Sequence, residues 1–181
     1  MHPDSALIRV EPQIDFTRPE GAFHLDGEAA IAVINRLTKK SPDVYDSYDW
    51  HDRDHDSFKR FGIHCVAESE GAQPDPDLDR SKVRAILMKG VDIHDDIYDS
   101  FDIPLLEPIL RARGKKTLFI VGSAVPICPS LTAMSGARLG FETYLVLDAC
   151  CIMPDTDIAK HIAELENAGV KVINSKDIDL D

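Results

Sequence analysis

"KTLFIVGSAVPICPSLTAMSGARLGFETYLVLD", residues 116–148, contains a strand, a helix and a second strand in succession. The run 116–122 is apolar and rich in β-branched and aromatic residues, which is typical of a strand. A proline opens and a glycine closes the helix that is predicted over 129–140. A second apolar run predicts a strand over 142–148. Because two strands joined through a helix form a parallel crossover unit, this stretch predicts an α/β fold.

The same alternation extends through the rest of the chain. Strands are predicted over 6–10, 43–50, 82–89 and 170–174, and helices over 26–40, 102–114 and 156–169. Such alternation favours a parallel sheet with helices on both faces. No repeat or linker interrupts it, and the acidic, proline-rich stretch 67–81 is expected to be a surface loop. We therefore expect a single domain over residues 1–181.

Composition excludes several classes of function. The chain carries 20 basic and 32 acidic residues, a net charge of -12, which argues against nucleic-acid or anionic-membrane partners. The beginning, "MHPDSALIRV", lacks the basic and apolar regions of a secretory signal. The four cysteines form no C-x-x-C pair, which suits reduced thiols better than a disulfide framework. These features predict a cytoplasmic protein.

Reactive side chains follow three of the predicted strands. In parallel sheets, ligands bind beyond the carboxyl ends of the strands. Glu11 follows the first strand, Lys89 ends the strand 82–89, and Cys128 lies in the turn after 116–122. A helix N-terminus favours a thiolate and offers N–H groups to an oxyanion, so Cys128 is the candidate nucleophile. The alternatives are that Cys128 is a buried packing residue, that the Lys89 ammonium reaches water, and that Glu11 is an ordinary acid at the end of a strand.

The stretch "DWHDRDHDSF", residues 49–58, concentrates acids and imidazoles. Asp49 and His51 are two residues apart, so in an extended chain they point to the same side. His55 and His64 follow within the next loop. One carboxylate with three imidazoles suits zinc, iron or manganese with coordination positions left open. The alternative is a solvated acidic turn without a metal.

Four motifs in this order resemble the nicotinamidase/pyrazinamidase branch of the isochorismatase-like cysteine hydrolases. They are "VEPQIDF" (10–16), "DWHDRDHDSF" followed by "HCV" (64–66), "KGVDIHDDIYDSF" (89–101) and "VGSAVPICPSLTAMSGARLGFETYLVLDAC" (121–150). The resemblance covers nearly the whole chain. It implies a three-layer α/β/α fold with a six-stranded parallel sheet, and assembly into homo-oligomers.

The resemblance also assigns roles to individual residues. It implies that Cys128 is the catalytic nucleophile, and that Lys89 and Glu11 are its catalytic partners. The backbone N–H groups of Ala124 and Cys128 would form the oxyanion hole, with a cis peptide between Ser123 and Ala124. The implied metal ligands are Asp49, His51, His55 and His64, and the implied pocket walls are Phe16 and Phe61.

The activity implied by the resemblance is metal-dependent hydrolysis of nicotinamide, or of a close aromatic amide such as pyrazinamide. The products would be the acid and ammonia, formed through a thioester on Cys128. One divalent ion (Zn, Fe or Mn) and no organic cofactor would be required.

Two departures from the family pattern keep alternatives open. Glu11 replaces the family's aspartate, and "VPICP" (125–129) replaces the usual T-D-Y/F-C-V. Phe61 also stands where tryptophan is usual. If these differences change the activity, the chain would be a cysteine hydrolase of another amide or carbamoyl substrate, or a metal-binding homologue with little turnover.

Overall fold

The computed structural model describes residues 1–178, so the last three residues of the predicted domain 1–181 lie outside this description. The strands are β1 (Ser5–Val10), β2 (Val44–Asp49), β3 (Val83–Lys89), β4 (Thr117–Val125), β5 (Glu142–Ile152) and β6 (Lys171–Ile173). The α-helices are α1 (Ile14–Thr17), α2 (Glu28–Lys40), α3 (Phe58–Phe61), α4 (Leu106–Ala112), α5 (Cys128–Arg138) and α6 (Ile158–Asn167). Short 3₁₀ turns span Ser100–Asp102 and Ser175–Asp177.

The six strands form one parallel sheet in the order β3-β2-β1-β4-β5-β6, with helices on both faces. The prediction of a three-layer α/β/α fold is therefore confirmed. Within residues 1–178 we find no helix with both the length and the apolar character needed to span a bilayer.

Strand β1 lies at the centre of the sheet and is buried on both faces. Leu7 packs in a cluster with α2, and Ile8 packs on the opposite face with α4 and α5. Such two-sided burial explains why the strand appears in the sequence as a continuous apolar run. The exception is Arg9, which is fully buried and donates two hydrogen bonds to Asp46, at 2.7 and 2.8 Å.

The helix predicted over 102–114 is shorter than expected. The chain forms the 3₁₀ turn Ser100–Asp102, and the α-helix begins only at Leu106. Between them Ile103 is extended, with φ -80° and ψ 114°. Pro104 explains the break, because the residue before a proline is driven away from helical backbone angles.

The two strands of the opening stretch are longer than predicted. β4 continues past 116–122 to Val125, and β5 continues past 142–148 to Ile152, where these two end residues pair. The pairing shifts in register before this point, which the apolar pattern does not reveal. Helices α1 and α3 were not predicted, since four residues are too few to show a helical period.

The sheet order reverses between β1 and β4, which places a crevice at their carboxyl ends. Glu11 follows β1, Asp49 ends β2 and Lys89 ends β3. Cys128 is the first residue of α5, directly beyond β4. The fold therefore brings the reactive strand ends to one edge of the sheet, as the sequence predicts.

Candidate active site

A cleft with about 490 Å³ of empty space opens at this edge. Of the residues to which the sequence assigned a site role, only Lys89 does not line the cleft. The cis peptide between Ser123 and Ala124 is present, and a second one joins Val125 to Pro126.

Lys89 lies at the centre of a buried charged group. Its ammonium contacts Oε1 of Glu11, lies 3.5 Å from Oδ1 of Asp49, and donates to the Tyr98 carbonyl at 2.9 Å. The residue has no exposed surface, so the alternative of a lysine head in water is wrong. Glu11 and Cys128 both line the cleft, and the charge of Glu11 acts on the Cys128 thiol, which links the carboxyl, the lysine and the thiol.

Burial and mutual charge set the protonation of this group. Burial and the negative charge of Asp49 raise the pKa of Glu11 to about 8, although Lys89 opposes the shift. Burial alone would lower the pKa of Lys89, but the negative charges of Cys128, Glu11 and Asp49 raise it well above its usual value. Burial and the charge of Glu11 raise the pKa of the Cys128 thiol. The group therefore contains a fixed ammonium beside two sites that can exchange a proton.

Asp49, His51 and His64 form a buried group whose ligand atoms lie within 4.8 Å of one another. The Nε2 atoms of His51 and His64 lie 3.5 and 3.9 Å from the same carboxylate oxygen, Oδ2 of Asp49. Burial lowers the pKa of His64, which favours the neutral imidazole that metals bind. Although burial disfavours its charge, Lys89 and His51 lower the pKa of Asp49, so it is a carboxylate. These donors fit a divalent cation.

Backbone carbonyls orient the two imidazoles. Nδ1 of His51 lies 3.2 Å from the Gly90 carbonyl, and Nδ1 of His64 lies 2.8 Å from the Gly62 carbonyl. Such contacts are typical of metal-binding histidines, because they fix the ring and its tautomer. Gly90 has φ +60°, and a Cβ there would overlap the His51 ring. The glycine that follows Lys89 is therefore required by the position of His51.

His55, the fourth predicted ligand, lines the cleft but is not part of this group. Its ring lies 4.2 Å from that of His51, while its nitrogens face Ser57 Oγ at 2.7 Å and the Asp95 carbonyl at 3.1 Å. Within residues 49–58 only residues 52–54 are exposed, so the alternative of a solvated turn describes these three residues alone. The side chains that could bind a metal point inward.

The aromatic walls lie where the resemblance implies. Phe16 and Phe61 line the cleft, with ring centroids 5.7 and 6.4 Å from that of His64. Phe23 and Tyr98 also line it, and the sequence had not identified either as a wall. Within residues 1–178, the buried Tyr98 hydroxyl has no hydrogen-bond partner.

Two polar residues that support the site were also missed. The Gln13 side chain accepts from the Asp49 N–H and donates to the Asp49 carbonyl, both at 2.8 Å. Asp15 accepts from the backbone N–H groups of Ala22 at 2.8 Å and Cys65 at 2.6 Å, beside His64. Both residues belong to the motif "VEPQIDF", and this membership is the sequence feature that could have identified them as site residues.

Known proteins resemble this chain over nearly its whole length. Residues 5–177 match the family described as Isochorismatase domain. The nicotinamidase/pyrazinamidase of Mycobacterium tuberculosis is 30% identical over 188 residues, which cover 94% of this chain and 98% of that protein. The structure of the Acinetobacter baumanii nicotinamidase/pyrazinamidase superposes with a TM-score of 0.90 at 27% identity, covering 97% and 98% of the two chains. The Pyrococcus horikoshii pyrazinamidase, solved in complex with zinc, superposes with a TM-score of 0.85 at 31% identity, covering 95% and 99%.

Proposed function

Because the chain belongs to the isochorismatase domain family, and within it to the nicotinamidase/pyrazinamidase branch, we propose that it hydrolyses nicotinamide to nicotinic acid and ammonia. It is an amidohydrolase of aromatic carboxamides. The observation that carries the proposal is the meeting, in one cleft, of Cys128, Glu11 and three buried metal-type ligands, with Lys89 buried against Glu11.

The first half of the reaction forms a thioester. Sγ of Cys128 attacks the carboxamide carbon while its proton passes to the ionised form of Glu11. Backbone N–H groups of Ala124 and Cys128 receive the oxyanion. The C–N bond then breaks, and Glu11 returns the proton to the departing nitrogen as ammonia forms. A pKa of about 8 suits this role, because a group titrating near the working pH can both accept and return a proton.

The second half returns the enzyme to its starting state. Glu11 takes a proton from a water molecule, whose oxygen attacks the thioester carbon. The C–S bond breaks, nicotinic acid leaves, and the proton returns to Cys128. Lys89 keeps its charge throughout and stabilises the negative charge that moves between Glu11 and Cys128.

The metal is assigned to Asp49, His51 and His64, and His55 would join them by releasing the Asp95 carbonyl. When bound, a divalent ion supplies a Lewis-acid position for the ring nitrogen of the substrate. Phe16 supplies an apolar wall for the ring. Zinc, iron and manganese all suit this donor set.

A second candidate function is hydrolysis of another amide or of a carbamoyl compound. It is favoured by Phe61 in the wall of the cleft, where the family usually has tryptophan, and by Pro126 beside the nucleophile. A third is metal binding with little turnover, which the replacement of aspartate by Glu11 favours.

An amide panel separates these functions. Ammonia release is measured for metal-loaded protein with nicotinamide, pyrazinamide, benzamide and a carbamoylated amine, beside the Cys128→Ala variant. We expect turnover with the two azine carboxamides and none in the variant. Turnover confined to the carbamoyl compound supports the second function. A protein that binds metal but shows neither turnover nor a reactive thiol supports the third.

A further inference from the structure

Three buried hydroxyl groups join three elements that lie beside the proposed catalytic residues. Ser47 belongs to β2, Ser100 begins the 3₁₀ turn, and Thr132 lies in α5; none has exposed surface. Oγ of Ser47 lies 2.8 Å from Oγ of Ser100. Oγ1 of Thr132 accepts from the Ser100 N–H at 3.0 Å and donates to Ser100 Oγ at 3.2 Å. The three side chains therefore hold β2, the turn and α5 together.

Ser47 and Ser100 are each connected through the backbone to a proposed catalytic residue. The backbone carbonyl of Ser47 accepts from the Glu11 N–H at 2.8 Å. Ser100 follows Tyr98 by two residues, and the Tyr98 carbonyl accepts from the Lys89 ammonium at 2.9 Å. The elements joined by the hydroxyl groups therefore bond the backbone of Glu11 and the ammonium of Lys89.

Thr132 reaches the nucleophile through the helix. It lies four residues after Cys128 in α5, so the two side chains project from the same face of the helix in successive turns. The N-terminus of α5 has no side-chain cap, since the residue at that position is Ile127. Contacts made along the first turns of the helix therefore fix where Cys128 lies.

We propose that Thr132 and Ser100 are positioning residues that set the distance between Lys89 and Cys128, an inference that rests on the proposed function. A lysine ammonium sits on a flexible stem, so a fixed carbonyl is needed to hold it. The Tyr98 carbonyl is fixed because the adjoining turn is bonded to α5 through Thr132. Without the Thr132 hydroxyl, the Ser100 N–H loses its acceptor in a buried place, and the turn must shift to find another.

The test compares Thr132→Val, which keeps the shape and removes the hydroxyl, with Thr132→Ser, which keeps the hydroxyl. Thr143→Val is the matched control, because Thr143 is as buried as Thr132 and, within residues 1–178, its hydroxyl bonds only the Phe141 carbonyl, at 3.1 Å. For nicotinamide we expect kcat of Thr132→Val to fall about tenfold or more, with KM within about threefold of wild type. Thr132→Ser should restore most of the rate, and Thr143→Val should keep the wild-type rate.

A second measurement does not depend on the substrate. Alkylation of Cys128 by iodoacetamide at one fixed pH is followed by peptide mapping in the same variants. A displaced Lys89 stabilises the thiolate less, and half a pKa unit corresponds to about a threefold slower reaction. If nicotinamide is not hydrolysed at all, the proposed function fails while this rate still tests the positioning.

Clear results would overturn the inference. An alkylation rate in Thr132→Val that equals or exceeds that of wild type contradicts it, as does equal slowing in Thr143→Val. If Thr132→Val does not fold, Ser100→Ala removes the shared hydroxyl from the other side and should slow alkylation in the same way. An unchanged rate in a folded Ser100→Ala protein would then refute the positioning role.

Discussion

Replacing Glu11 by aspartate should reduce activity, although aspartate is the residue that the family pattern has at this position. The Glu11 side chain reaches from the end of β1 to Lys89, and its charge acts on the Cys128 thiol. Its backbone has φ +49°, a region in which aspartate is better tolerated than glutamate. A loss of activity in Glu11→Asp would therefore not be explained by added backbone strain.

The size of the effect follows from the length of the side chain. Removal of one methylene withdraws the carboxylate by about 1.5 Å, the length of one C–C bond. Since a misplacement of about 1 Å can cost on the order of a hundredfold in rate, we expect kcat/KM to fall about a hundredfold in Glu11→Asp. Glu11→Gln keeps the length but cannot accept a proton, so it should lose nearly all activity.

The assay is steady-state ammonia release from nicotinamide, with metal content measured on the same samples. Both variants should retain the metal, because Glu11 is not among the grouped ligands. If Glu11→Asp is as active as wild type or more active, glutamate is not placed to carry the proton and the reasoning is wrong. An inactive wild type with an active aspartate variant would identify the chain as a homologue that has lost turnover.

Three further expectations concern metal, thiol and acid stability. His64→Ala should lose zinc, measured by elemental analysis, and His55→Ala should lose less of it, because His55 can bind the metal only after its Nε2 releases the Asp95 carbonyl; equal losses would contradict this assignment. Mild alkylation should label Cys128 before the other three cysteines, and earlier labelling of any of those counts against it as nucleophile. Asp43→Asn should lower the free energy of unfolding at pH 7 by about 3 kcal/mol, since it leaves the buried Lys115 without its carboxylate. Although burial disfavours its charge, hydrogen bonds from Lys115, Arg113 and Arg84 hold the folded pKa of the Asp43 carboxyl below its unfolded value of about 4. The difference should therefore shrink as the pH falls below about 4 towards the folded pKa; a constant difference in denaturant melts would refute it.

Much of the fold could be predicted from the sequence because two-sided burial leaves a strong signal. Each central parallel strand appears as an apolar run, and the side chain that follows it lies at the edge where ligands bind. Glu11, Lys89 and Cys128 could be placed together on this basis alone. The order of the strands along the chain does not show which strands are neighbours in the sheet. The six-stranded parallel sheet was predicted from the resemblance to the family.

What could not be predicted depends on partners distant in sequence. Arg9 interrupts an apolar strand, and its burial is made acceptable by its pairing with Asp46, across 37 residues, and by hydrogen bonds to Thr38 and to the Asp79 carbonyl. Gln13 looks like an ordinary polar residue until its two hydrogen bonds to Asp49 are seen. Likewise, the clustering of the histidines in the sequence does not reveal that Nε2 of His55 faces the Asp95 carbonyl.

The most direct test of the proposed function is ammonia release from nicotinamide by metal-loaded wild type and by Cys128→Ala at equal metal content. We predict sustained turnover by the wild type, with nicotinic acid formed in equal amount, and no turnover by the variant. Turnover of nicotinamide that persists in Cys128→Ala, or its absence in a wild-type protein that holds metal and has a reactive Cys128 thiol, would contradict the account.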